Sequence, residues 1–216
     1  MKSTNKVLTK IAASMLLMSC AMNASANLIS NGNFATGSYA TVPNWTLSGA
    51  VYVIPYANYG LSGTWAGSAN GALFGFTNVL NDPNLLSQTI STVTGSTYTL
   101  TFDYGSYSGY SNLVQSNNVT VVNTSTSSTL LNQIVTTPSS SSSSLAAMFL
   151  THAVYTFTAT GSSTTINFQD VSAVTQNVDS FLTNVAVNTS TIPLPGTLAL
   201  LGLGFVGLSM NLGKRS

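Results

Sequence analysis

From Asn27 to Asn188 apolar positions recur with a period of two, and no helical period outlasts a turn or two. In Ser96–Tyr104, the side chains of Tyr98, Leu100, Phe102 and Tyr104 alternate with Thr97, Thr99, Thr101 and Asp103. In His152–Ala159, Ala153, Tyr155, Phe157 and Ala159 alternate with His152, Val154, Thr156 and Thr158; further on, Ile166 and Phe168 alternate with Thr165, Asn167 and Gln169. The same pattern predicts strands over 44–48, 50–54, 71–78, 85–92, 118–124, 129–135 and 180–188. Clusters of Gly, Asn and Ser separate them, as at Gly60–Gly71 and Gly105–Asn112, and Pro138 with the serines to Ser144 forms a low-complexity loop. Short alternating strands divided by turn residues predict an all-β fold, a two-sheet β-sandwich over 27–190.

The two ends break the pattern. Lys2, Lys6 and Lys10 precede an apolar run, Ile11–Ala21, and then Ala24-Ser25-Ala26, a small-x-small cleavage site. That order marks 1–26 as a secretory signal helix, cut by signal peptidase between Ala26 and Asn27. Cys20, the single cysteine, stands in Leu17-Met18-Ser19-Cys20, which loosely resembles the lipobox of bacterial lipoproteins; otherwise it leaves with the signal. At the other end, Ile192-Pro193-Leu194-Pro195-Gly196 is a rigid break, because proline fixes φ and donates no hydrogen bond. Thr197–Leu212 is apolar and glycine-spaced, and Gly213-Lys214-Arg215-Ser216 closes the chain. Sixteen helical residues reach about 24 Å, so with uncharged flanks a transmembrane helix within 191–216 becomes feasible. Lys214 and Arg215 would remain cytoplasmic, with the sandwich outside.

Composition sharpens this division. The chain has 216 residues with five Lys or Arg and four acidic residues, and 4% of it is charged, against roughly a quarter in an average soluble domain. Every Lys and Arg lies in the two ends, so the interior keeps only Asp82, Asp103, Asp170 and Asp179: removing five positive charges from +1 leaves −4. Nucleic-acid backbones require clustered Lys and Arg, so that class of partner is excluded. With one His and four Asp, most catalytic schemes lack their titrating groups, and the expectation is that the protein is not an enzyme. Thr supplies a polar outer face that keeps β propensity without charge. The accompanying cost is weak protection of exposed strand edges, which charged residues usually guard.

The tripartite ending, Pro193-Leu194-Pro195 followed by an apolar helix and the Lys214-Arg215 tip, resembles the PEP-CTERM sorting signal of Gram-negative bacteria, with Leu194 in place of the usual Glu. The resemblance implies recognition by exosortase, export through an inner-membrane intermediate, and a final place at the cell surface or outside the cell, in a bacterium that makes exopolysaccharide. Several interior pieces resemble galactose-binding-like jelly-roll domains: Asn27-Leu28-Ile29-Ser30-Asn31-Gly32-Asn33-Phe34, Asn44-Trp45, Leu86-Ser87-Gln88-Thr89-Ile90, Ser96–Gly105 and Phe181–Val187. In relatives the last strand carries Asp before its Asn, where this chain has Thr183 before Asn184.

Three kinds of site follow. The jelly-roll resemblance implies a structural calcium ion between the N-terminal loop and the last strand. Calcium takes about six to eight oxygens, and with Thr183 in the carboxylate position either Asp179 or Asp170 would have to serve; the competing reading has these Asp residues capping turns. For sugar binding, Tyr56, Tyr59 and Trp65 crowd a Gly- and Asn-rich region together with Tyr52, and Tyr107 and Tyr110 follow Tyr104 at a threefold spacing. Exposed rings offer flat faces to sugar CH groups; alternatively Tyr52 and Tyr104 are core and the rest pack loops. Trp45 reads as core. For catalysis, His152 stands on a strand without a nucleophile-elbow motif, and Asp103 lies on a polar strand face, where a solvated or turn-bonded carboxylate is expected.

The expected function is therefore a non-catalytic cell-surface or extracellular-matrix protein, associated with biofilm or exopolysaccharide and sorted by exosortase. The alternative is a carbohydrate-binding module that recognises polysaccharide through its Tyr clusters. No cofactor is expected beyond the calcium alternative.

Overall fold

In a computed structural model the described residues are 26–37, 39–55, 70–74, 84–108, 114–137, 150–173 and 178–190, without the side chains at 54–55, 107–108 and 178. All belong to one compact unit, Ser25–Ser190. The signal and sorting segments, including Ala24, Pro193, Leu194, Pro195, Lys214 and Arg215, lie outside the described residues, as do both expected terminal helices.

The alternating segments form β1 (Thr46–Ser48), β2 (Val51–Pro55), β3 (Asn70–Phe74), β4 (Leu85–Ser91), β5 (Thr97–Ser108), β6 (Ser116–Asn123), β7 (Thr129–Thr136), β8 (Thr151–Thr158), β9 (Ser163–Asp170) and β10 (Val178–Thr189). They assemble into two antiparallel five-stranded sheets, β1-β4-β9-β6-β7 and β2-β3-β10-β5-β8. The fold is all-β, a two-sheet sandwich, and among the described residues there is no helix.

Period two decides which side chains meet between the sheets. Tyr98, Leu100 and Phe102 of β5, with Leu182, Val185 and Val187 of the neighbouring β10, meet Val119 and Val121 of β6 and Ile166 and Phe168 of β9 in one buried cluster. Phe102 and Phe168 join the sheets edge-to-face at 5.1 Å, and Trp45 lies 6.4 Å from Phe168 and 5.5 Å from Phe34. The Trp45 indole donates to the Asn31 carbonyl at 3.2 Å, which satisfies its one polar atom. Trp45 is thus core, as its sequence context indicates.

The N-terminal segment closes the sandwich by bonding to both sheets. Asn27 Oδ1 accepts from the amides of Ile29 and Val187. Gln88 exchanges two bonds with Ser30, accepting from its amide at 2.8 Å and donating to its carbonyl at 2.9 Å. Gly32 accepts from the Val185 amide, and a Cβ at that position would stand 1.9 Å from the Val185 carbonyl oxygen, so only glycine fits.

Candidate functional site

The polar cluster with the most chemistry lies on the outward face of the second sheet, where β5 runs between β10 and β8. Strand register places Asp103 directly opposite His152 on one side and opposite Thr183 on the other. Between Thr183 and Ala186 the β10 ladder slips, and Asn184 adopts a left-handed conformation with φ 52°. Such a bulge re-aims a side chain, and here it turns Asn184 onto the same carboxylate. Asn184 Nδ2 donates to Asp103 Oδ2 at 2.8 Å, and His152 Nδ1 meets Asp103 Oδ1 at 2.6 Å. Thr183 is held separately, donating to the Asn70 carbonyl at 2.9 Å.

Asp103 departs from the expectation of a solvated or turn-bonded carboxylate. Its polar-face position is as expected, but its side chain is only 8% exposed while that of His152 is 57% exposed. Alternation assigns a face; it does not show which side chains of the neighbouring strands, here His152 and Asn184, lie against the carboxylate. A carboxylate only accepts, so His152 Nδ1 carries the hydrogen in this pair, which leaves Nε2 of the exposed ring as the nitrogen that can accept from a ligand. Along the same face run Thr101 opposite Val154, Thr99 opposite Thr156 and Thr97 opposite Thr158, the last pair with hydroxyls 3.2 Å apart. The site is therefore one anchored imidazole at the end of a row of hydroxyls.

The expected calcium position is filled by hydrogen bonds. The Ser30 carbonyl accepts from Gln88, that of Asn31 from Trp45, that of Gly32 from Val185 and that of Phe34 from Asn70, while Thr183 bonds to Asn70. Asp170 caps a turn, accepting from the Ser172 amide at 2.9 Å and hydroxyl at 2.5 Å. Its other oxygen is buried and has no donor among the described residues. Asp179 caps no turn among the described residues: it is buried, and burial first, then the nearby Asp170, pushes its pKa up to about 7. Among the described residues there is no group of three or more His, Cys, Asp or Glu side chains that could hold a metal.

The aromatic candidates fall largely elsewhere. Tyr56, Tyr59, Trp65 and Tyr110 lie outside the described residues; Tyr107 is placed in β5 opposite Asp179, with its side chain outside the description. Tyr52 is half-buried and packs, tilted, at 4.4 Å against the exposed Tyr39 instead of entering the core. Tyr104 is half-buried against Phe102 at 5.9 Å, and burial raises its pKa, with Tyr155 adding to the effect. Sequence reasoning did not join His152, Asp103 and Asn184. Two polar-face residues on separate strands gave the only signal, and neither the strand neighbours nor the bulge can be read from alternation.

A PEP-CTERM protein-sorting motif matches residues 191–215. No curated protein matches the chain. Among solved structures, the chain is similar to the Stig cyclase Fisc from Fischerella sp. TAU, with a TM-score of 0.55 at 14% identity, covering 77% of this chain and 98% of that one. It is also similar to the MgGH51 α-L-arabinofuranosidase, with a TM-score of 0.53 at 12% identity and 78% of this chain covered, but it spans only 27% of that enzyme. A third similar structure is the CBM22-1 xylan-binding domain of Paenibacillus barcinonensis Xyn10C, with a TM-score of 0.51 at 13% identity, covering 78% and 97% of the two chains. Identities this low carry the fold alone. The chain is thus a jelly-roll β-sandwich, of the kind seen in carbohydrate-binding domains, that ends in a PEP-CTERM sorting motif.

Proposed function

We propose that this is an exported, non-catalytic component of the cell surface or extracellular matrix, delivered by exosortase. The observation that carries the reading is a sorting motif attached to a β-sandwich whose described residues include no Lys, Arg or Glu. Rows of paired hydroxyls and amides cover the outward face of the first sheet, such as Thr89 to Thr165 at 2.8 Å, Thr165 to Thr124 at 2.9 Å and Asn167 to Thr120 at 3.1 Å. A neutral, hydroxyl-rich surface suits a hydrated polysaccharide matrix, where fixed charge would bring counterions and salt dependence. The non-catalytic reading rests on composition: one His and four Asp leave few titrating groups for a reaction scheme. Mass spectrometry of the native product tests delivery: it should begin at Asn27 and lack everything after roughly residue 196. Unchanged surface delivery in an exosortase-deleted producer overturns it.

A second reading, a carbohydrate-binding module, is favoured by one feature: the Asp103–His152–Asn184 cluster beside a threonine row. Sugar hydroxyls both donate and accept, and an oriented imidazole nitrogen with neighbouring hydroxyls matches them. Screening the exported protein on a glycan array separates the readings. Selective binding that falls about tenfold in His152→Ala, the loss of one hydrogen bond, supports the module with the cluster as its site. Loss in Tyr56→Ala or Tyr107→Ala instead locates the glycan at the Tyr clusters. Absence of selective binding leaves the matrix reading alone.

A further inference from the structure

The sandwich has four edge strands, β1 and β2 at one side and β7 and β8 at the other. β1 is three residues long, and short edges recruit partners poorly. β2 is covered: Tyr39 bridges Val53, accepting from its amide at 2.8 Å, and the Tyr39 ring packs against Tyr52. β8 carries the ionisable, exposed His152. β7 has none of these protections. It is eight residues long, Thr129-Leu130-Leu131-Asn132-Gln133-Ile134-Val135-Thr136, with no charge, proline or glycine. Among the described residues it is bonded to β6 alone, and Ile134 is 67% exposed. An exposed, uncharged strand of high β propensity with one free edge is a template for strand addition.

We infer that β7 is a docking edge for a second copy of this chain, joined by antiparallel β7–β7 pairing that makes the two first sheets continuous. Charge favours this occupant. A charged partner strand would find no countercharge on β7, whereas β7 meets its own copy with no like charges opposed. Geometry favours it too. The β6–β7 ladder slips near Leu130, at Val121/Val122, so the regular part of the edge is Leu131–Thr136. Alternation there puts Asn132, Ile134 and Thr136 on the outward face. A two-fold axis normal to the sheet keeps outward residues opposite outward residues. With the axis at Ile134, the two Ile134 side chains cover each other and Asn132 stands opposite Thr136 on both sides. The most exposed isoleucine of the described surface becomes the self-complementary centre of the contact.

Sedimentation velocity on the natively exported protein reads this out. A concentration-dependent monomer–dimer equilibrium is expected, and Ile134→Lys should weaken it roughly a hundredfold, through loss of two buried isoleucines and two lysines brought face to face. Val154→Lys, at another exposed apolar position, on β8, should leave it unchanged. Ile134→Cys should form an intermolecular disulfide on oxidation, because the axis brings the two positions together. Ile134 is exposed, so unchanged near-UV circular dichroism and melting should accompany Ile134→Lys. A protein that stays monomeric at about 100 μM, well above a typical weak contact, overturns the inference; so does a dimer that survives Ile134→Lys or fails to cross-link through Cys at 134.

Discussion

Asp103 and Asp179 are buried almost equally, at 5% and 7% exposure, yet their surroundings differ completely. Asp103 has a donor on each oxygen, His152 on one and Asn184 on the other. Asp179 has burial and the like charge of Asp170, with no donor among the described residues to offset them, and its pKa rises to about 7. Burial imposes a desolvation cost on any carboxylate, and the nearby donors decide how much of it remains. On this protein the donors come from a strand bulge and an edge strand, both placed by tertiary pairing. One carboxylate is built into a polar cluster; the other is an electrostatic weak point.

The largest way to sharpen that contrast is pH. The folded-state pKa of Asp179, about 7, lies above its ordinary value of 3.8, so between these values the folded state binds more protons than the unfolded one. Stability should therefore be fully present below about pH 4, fall as pH rises through that window, and level off above the folded pKa. The span corresponds to on the order of 4 kcal/mol at most, shared with Asp170 because the two interact. Asp179→Asn removes the titration, so its denaturant midpoint should stay nearly flat from pH 4 to 8 (approximate bounds) where the natural protein declines. Parallel profiles for the two proteins would show that water reaches Asp179.

A smaller effect is expected at Asp103. Asp103→Ala leaves Asn184, held at positive φ, without the acceptor that stabilises its conformation, and leaves His152 Nδ1 unanchored. The expected loss is about 3 kcal/mol, or roughly 6–12 °C in Tm for a domain of this size. Asp103→Asn keeps an acceptor for one donor and should lose about half as much. If Asp103→Ala melts within about 2 °C of the natural protein, which for this size is under 1 kcal/mol, the cluster is surface decoration.

These carboxylates also mark the limit of what the chain discloses by itself. Strand existence and facing follow from Leu100, Phe102, Ile166 and Phe168, because a period of two is a local signal and one face must be buried. All ten strand segments were legible in that way, with ends displaced by a few residues where the ladder and not the side-chain pattern sets the boundary. Asp103, by contrast, reads as polar-face and exposed. Its burial depends on β8 and β10 flanking β5, and those partners lie 49 and 81 residues away in the chain. Asn184 was visible as a jelly-roll position, but its aim depends on a ladder slip that no alternation encodes. Asp170 as a turn cap is the reading the sequence already offers against calcium, since Asp two residues before Ser is a local motif.

The smallest effect concerns calcium, and it brings the contrast to the N-terminal loop. The jelly-roll resemblance implies a carboxylate ligand before the last-strand Asn; Thr183 occupies that position and spends its hydroxyl on the Asn70 carbonyl. The loop carbonyls that would complete a shell are engaged by Gln88, Trp45, Val185 and Asn70. An ion would have to break several of these bonds and bring in Asp179, whose raised pKa means that binding also displaces a proton at neutral pH. Any ion that binds only the folded state adds RT ln(1 + [L]/Kd), about 0.4 kcal/mol when its concentration equals Kd. Millimolar calcium and a chelator should therefore give melting temperatures within about 1–2 °C of each other at neutral pH. A larger rise with calcium that disappears in Asp179→Asn would show that the weak carboxylate is in fact a ligand. A rise that persists in Asp179→Asn and disappears in Asp170→Asn would assign the ion to the unpartnered oxygen of Asp170.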